Sequence, residues 1–141
     1  MNRNPPTPSV LLIAAVCLLD TSDRLLLVRK RATRAFMLPG GKLEPGESPH
    51  TALHRELREE LDLQLDDAQL QALGRFQAAA ANEPDTQLDA HIFIARLPHP
   101  VSPAAELEEL RWHDLSSPPA ADLAPLLVEQ VLPALARHVQ A

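Results

Sequence analysis

Tyrosine is absent from this 141-residue chain, and the only aromatic residues are Phe36, Phe76, Phe93 and Trp112. Four rings are too few for a surface that stacks the bases of RNA or single-stranded DNA. A single cysteine, Cys17, rules out an internal disulfide and points to a reducing compartment; in its apolar surroundings it reads as inert core. Basic residues are outnumbered, 13 Lys and Arg against 19 Asp and Glu, for a formal net charge of −6. That balance excludes binding of a nucleic acid duplex through its phosphates, but not of a phosphorylated small molecule if a metal supplies positive charge. The longest apolar run, Val10 to Leu19, falls well short of the roughly 20 residues a membrane helix needs. The polar stretch Asp20–Arg24 follows it and no small-x-small cleavage site is present, so it reads as a buried strand rather than a signal peptide. A cytoplasmic protein with no membrane contact is expected. Glycine is also scarce: there are four, and Gly40, Gly41 and Gly46 lie within seven residues of one another.

Residues 1–8, with three prolines, read as a flexible N-terminal arm ahead of one domain over 9–141. Val10–Leu19 and Leu25–Lys30, separated by Asp20–Asp23, predict a hairpin. A strand stub at Phe36-Met37-Leu38 leads into the glycine loop. Ser48 as N-cap and Pro49 as first residue predict a helix to Leu61. Strands are expected at Leu70–Ala80, Leu88–Leu97 and Leu107–Leu115. A last amphipathic helix over Asp122–His138 should be kinked by Pro133. This order of elements makes the chain an α+β protein.

On the helix 49–61, with Glu56 at the origin, Glu59 falls at about 300° and Glu60 at about 40°, so three carboxylates share one face, expected to be exposed. Leu53, Leu57 and Leu61 occupy the adjoining face at about 60–140°. Clustered like charges weaken a helix, and oxygen ligands on a rigid face suit Mg²⁺ or Mn²⁺.

The loop and helix together read Gly41, five residues, Glu47, seven residues, then Arg55-Glu56-Leu57-Arg58-Glu59-Glu60-Leu61-Asp62-Leu63. This resembles the Nudix box, Gly-x5-Glu-x7-Arg-Glu-U-x-Glu-Glu-x-Gly-U with U aliphatic, at eight of its nine specified positions over residues 41–63. The departure is Asp62, where the family has a left-handed Gly; Asp is one of the few other residues that visits that conformation. The resemblance implies an α/β/α sandwich, with a mixed sheet between the box helix and the C-terminal helix. It also implies hydrolysis of a nucleoside diphosphate linked to another group, with Mg²⁺ or Mn²⁺ as cofactor. By position, Glu56, Glu59, Glu60 and the Gly40 carbonyl would hold the metal. Arg55 would orient the carboxylates by pairing with Glu47 or Glu59, and Gly41 and Glu47 would be structural. Glu59 is the first candidate for the base that activates water, with Glu83, Glu106, Glu108 and Glu109 as alternatives.

Substrate contacts are expected from Arg29, Phe36 and Glu109. Arg29 belongs to a basic cluster with Lys30, Arg31 and Arg34, and Phe36 stands where the family often has Trp. Trp112 could stack on a base or belong to the core. Three features attached to other substrates in this family are missing: a Pro about fifteen residues after the box, where Ala78-Ala79-Ala80 stands, a nearby Tyr, and a coenzyme A signature. Their absence and the Gly-Gly-Lys at the box start are similar to MutT-like members. They leave a nucleoside triphosphate, cleaved to monophosphate and pyrophosphate, as the expected substrate. A noncatalytic nucleotide-binding or regulatory module on the same fold is the alternative. His50 and His54 have the spacing of a zinc pair but lack the intervening Glu of His-Glu-x-x-His. The oligomeric state stays open, a homodimer included.

Overall fold

The structure, a computed structural model, describes residues 9–81 and 83–140; the N-terminal arm expected at 1–8 lies outside them. Six strands and two helices follow in the order β1 (Ser9–Leu19), β2 (Arg24–Lys30), β3 (Gly40–Lys42), α1 (Pro49–Leu61), β4 (Gln71–Ala79), β5 (Thr86–Arg96), β6 (Leu107–Asp114) and α2 (Leu132–Gln140). The sheet runs β4-β5-β1-β2-β6, with β3 also on β1. It is mixed. β1 and β5 are parallel from Ser9↔Thr86 to Leu19↔Arg96, while the other pairs are antiparallel.

From Ala14 to Leu19 β1 is buried on both faces, which explains the apolar run there. Ala14, Val16 and Leu18 pack with Leu26, Val28, Leu53, Leu57 and Leu61 on the α1 side. Ala15, Cys17 and Leu19 pack with Leu25, Leu27, Leu127, Val131 and Leu135 on the other side. The sheet thus lies between the box helix and the C-terminal helix, the expected α+β sandwich. None of the described helices is long and apolar enough to cross a membrane.

Two expectations need correction. The β1–β2 hairpin keeps only the pair Leu19↔Leu25. Beyond it the strands part, and β3 takes the freed edge of β1 through Ile13↔Lys42, Ala14↔Gly41 and Ala15↔Gly40. The glycine loop is therefore partly a strand, and its backbone is fixed against the centre of the sheet. The C-terminal helix starts at 125, not at Asp122. Leu123 instead bridges to Phe36, with the Phe36 N–H donating to the Asp122 carbonyl and the Ala124 N–H to the Phe36 carbonyl, both at 2.8 Å. Pro133, which has no N–H to give, is preceded by a wide π-helical stretch, Leu127–Val131.

Candidate active site

The box helix is set at both ends by local chemistry. The Ser48 hydroxyl accepts from the Thr51 N–H at 3.1 Å. At the far end Asp62 adopts the left-handed conformation (φ 50°, ψ 42°). The Asp62 N–H donates to the Arg58 carbonyl and the Leu63 N–H to that of Leu57, each at 3.1 Å. Asp62 therefore does the backbone work of the missing glycine.

Arg55 organises the acidic groups around it. Its Nε and Nη2 fork onto the two Glu47 oxygens at 2.9 Å, Nη1 reaches Glu56 at 2.8 Å, and Nη2 also donates to the Lys42 carbonyl at 3.0 Å. Glu59 is 3.7 Å from Nη1. The Arg55 guanidinium holds the Glu47 carboxyl down to about 2. Glu56 moves the other way: its partial burial outweighs the nearby guanidinium and raises its pKa.

Glu60 overturns the expectation of an exposed carboxylate face. Only 2% of it is accessible. At about 40° on the wheel it lies nearer to Leu53 than Glu59 does, and the β3 strand closes over it. Its Oε1 accepts from the Gly40 N–H at 3.0 Å, and its Oε2 is buried with no hydrogen-bond partner. Burial pushes its pKa up to about 8. Gly40 has φ +145°, and a Cβ there would collide with the Ala14 carbonyl oxygen. A Cβ on Gly41 would lie 2.5 Å from the Glu56 carboxyl. The two glycines thus let the strand approach both acids.

An orphaned carboxylate oxygen in a buried position is costly unless a cation completes it. The donors fit a hard divalent ion: Glu60 Oε2, the half-buried Glu56 and, on the same face, Glu59, whose side chain is 56% exposed. Among the described residues no three His, Cys, Asp or Glu side chains are placed to hold a metal ion by themselves. Mg²⁺ does not require such a set, since it commonly takes one or two carboxylates and completes its shell with water and substrate phosphate.

A cavity of about 510 Å³ opens beside Glu56, which lines it with Gly40 and Gly41; Glu59 and Glu60 are off its lining. Of the expected substrate contacts, Arg29, Phe36 and Glu109 all lie off its lining. Arg29 donates to Glu109 at 3.1–3.2 Å and to the Thr33 carbonyl at 2.9 Å. Phe36, 2% exposed, is core, covered by the Arg111 guanidinium at 3.7 Å. The cavity instead takes Lys30, paired with Glu106 at 3.5 Å, and Lys42, paired with Glu83 at 3.4 Å. Strand alternation carries the signal for Lys30, which shares the parity of Leu26 and Val28 on the α1 side, opposite Arg29. Glu83 and Glu106, named as alternative bases, line the cavity, while Glu108 and Glu109 do not. The His50 ring lies against Phe93 at 4.7 Å, and His54 contacts Asp67 at 2.6 Å. Trp112 is partly exposed beneath Arg24.

The family model described as "NUDIX domain" matches residues 11–135. The uncharacterized Nudix hydrolase YvcI of Bacillus subtilis is 31% identical over 111 residues, which cover 77% of this chain and 70% of that protein. An RNA pyrophosphohydrolase of Pseudomonas putida is 35% identical over 60 residues, 43% of this chain and 38% of the relative. Among solved structures, the MutT protein of Methanosarcina mazei superposes with a TM-score of 0.77 at 18% identity, over 97% of this chain and all of that one.

Proposed function

The chain belongs to the Nudix hydrolase family, and from that premise we propose that it is a divalent-metal-dependent pyrophosphohydrolase that cleaves nucleoside triphosphates to monophosphate and pyrophosphate. The observation that carries the reading is the buried, partnerless Glu60 Oε2, on the same helix as Glu56, which lines an open cavity.

In this reading Glu56, Glu59, Glu60 and the Gly40 carbonyl hold Mg²⁺ or Mn²⁺. Such an ion supplies positive charge against the phosphates and lowers the pKa of a bound water. Arg55 is a positioning residue: fully committed to Glu47, Glu56 and the Lys42 carbonyl, it sets the acids and leaves the phosphates to other groups. Glu59, the most exposed of the three acids, takes the proton of the attacking water. The new P–O bond forms as the phosphoanhydride P–O bond breaks, and the negative charge leaves on pyrophosphate. Lys30 lies where it can meet that charge. The MutT-like overall form and the family name of the pyrophosphohydrolase relative support the same chemistry.

The test is a panel of nucleoside triphosphates, nucleotide sugars and dinucleoside polyphosphates with Mg²⁺, Mn²⁺ or EDTA, with products resolved chromatographically. Metal-dependent release of monophosphate and pyrophosphate from a triphosphate is expected. Turnover confined to a nucleotide sugar would overturn the substrate assignment, and nucleotide binding without any turnover would favour the noncatalytic module.

A further inference from the structure

The last residue of β2 is out of step with the rest of its strand. β2 and β6 pair in register from Arg24↔Asp114 to Arg29↔Glu109, then slip, so that Lys30 stands opposite Leu107. A bulge of this kind bends the strand and re-aims the side chain beside it. Arg29 keeps Glu109 as its partner, whereas Lys30 lines the cavity together with Glu56 and Glu106.

Glu106 is fixed there by its backbone. Its carbonyl accepts from the Arg31 N–H at 2.9 Å, Arg31 Nη2 donates to the Ala105 carbonyl at 2.9 Å, and Leu107 is buried in the core on the α1 side. The Ala104 N–H donates to the Glu60 carbonyl at 2.8 Å, which ties the same turn to the box helix at its buried acid. The Lys30 ammonium lies 3.5 Å from Glu106 Oε1, where β2, this turn and the box helix meet.

Two cations therefore attend the acids, and they are held differently. Arg55 is locked by bonds of 2.8–3.0 Å to Glu47, Glu56 and the Lys42 carbonyl. The Lys30 contact is longer than the roughly 2.7–2.9 Å of a well-formed charge-assisted bond, and its ammonium rides on a flexible four-carbon stem. Its charge still reaches the acids. Burial raises the pKa values of Glu56 and Glu60, and Lys30 opposes that rise in both, while the Glu106 charge adds to it in Glu60. A divalent ion entering this cluster has to compete with a cation that is already there.

Resting on the hydrolase reading, and deepening it, we propose that Lys30 is a displaceable counter-ion of the metal site. It balances Glu56, Glu60 and Glu106 in the metal-free protein, cedes them to the ion, and its freed ammonium then takes a substrate phosphate. Lys30 thus opposes the binding of metal alone and favours the binding of triphosphate to the metal-loaded protein.

Two binding measurements with opposite expected signs test this without turnover. Mn²⁺ binding to the free protein is read from the loss of the free-ion electron paramagnetic resonance signal. Binding of a nonhydrolysable α,β-methylene triphosphate at saturating Mg²⁺ is read by calorimetry. Lys30→Met keeps the apolar stem and removes the charge; it should bind Mn²⁺ at least about fivefold tighter than wild type and the analogue at least about fivefold more weakly. Lys30→Gln serves where Lys30→Met does not fold, and Lys30→Arg should bring both values back toward wild type. Unchanged or weaker Mn²⁺ binding in the neutral variants would overturn the proposal and leave Lys30 a phosphate contact or a support of the ligands. Effects that Lys30→Arg shares would overturn it too, because charge would not be their cause. Absence of Mn²⁺ binding by wild type would overturn the proposal together with the metal-dependent reading. Opposite shifts in Lys30→Met, with no hydrolysis of the ordinary triphosphates by wild type, would sustain the proposal while overturning the hydrolase reading.

Discussion

The Gly40 N–H donates to Glu60 Oε1 at 3.0 Å across twenty residues of sequence, and leaves Oε2 of the same carboxylate buried without a partner. One bond thus ties the strand that carries the glycines to the helix that carries the acids, and half of the carboxylate stays available. The predictions below test this arrangement.

The two glycines fail differently when substituted. Gly40→Ala drives a Cβ into the Ala14 backbone oxygen in a conformation that L residues rarely adopt. It should lower stability by about 2–3 kcal/mol. Gly41→Ala meets only the end of the Glu56 side chain, which can move. The fold should survive, with kcat/KM reduced at least about tenfold by the displaced acid. Denaturant unfolding and steady-state kinetics on both variants check the contrast; equal stability losses would contradict it.

Arg55→Lys keeps the charge and loses the fork onto Glu47 and the simultaneous contact with Glu56. Because Arg55 acts through the carboxylates, metal affinity and kcat should fall together, by about 10–100-fold, with little change in KM. A rise in KM alone would mean that Arg55 touches the phosphates directly.

Asp62→Gly removes a side chain from a left-handed cap that already forms both cap hydrogen bonds. It should stabilise the protein by up to roughly 1 kcal/mol and leave activity unchanged. Loss of Mg²⁺ affinity in this variant would instead make Asp62 part of the metal site.

The helix ends at Ser48 and Asp62 were legible in the sequence because caps are local, and the spacing of Arg55, Glu56, Glu59 and Glu60 was legible because one helix sets it. Glu60 was misjudged because its burial comes from β3, whose pairing with β1 is decided some 25 residues from β1 in the chain. Arg29 was preferred to Lys30 within one basic cluster. Alternation along β2 separates the two, but only the packing of Leu26 and Val28 against the box helix shows which face meets the acids. Phe36 resembled a substrate contact and is core, because Leu123 leaves the helix to pair with it and Arg111 covers its ring.

The raised pKa of Glu60 carries a pH signature. Between the unfolded value near 4.5 and the folded value of about 8 the native state binds the extra proton. In EDTA its contribution to stability is therefore fully present below about 4.5 and is lost as pH rises through about 8. Glu60→Gln cannot titrate, so the Tm of wild type relative to the variant should fall steadily from pH 5 to pH 9 in EDTA. Saturating Mg²⁺ should reverse that trend for wild type only. A pH-independent difference in EDTA would place the Glu60 carboxyl in its ordinary range.

The most direct measurement is Mg²⁺-dependent turnover by Glu60→Gln. A neutral isostere suits the buried position without metal, so the variant should fold with wild-type circular dichroism and an undiminished Tm in EDTA at pH 8. Turnover of the substrate identified by the panel should nonetheless fall at least about 100-fold, as for disrupted metal sites. A folded Glu60→Gln with near-normal Mg²⁺-dependent turnover would contradict the claim that this buried carboxylate holds the catalytic metal.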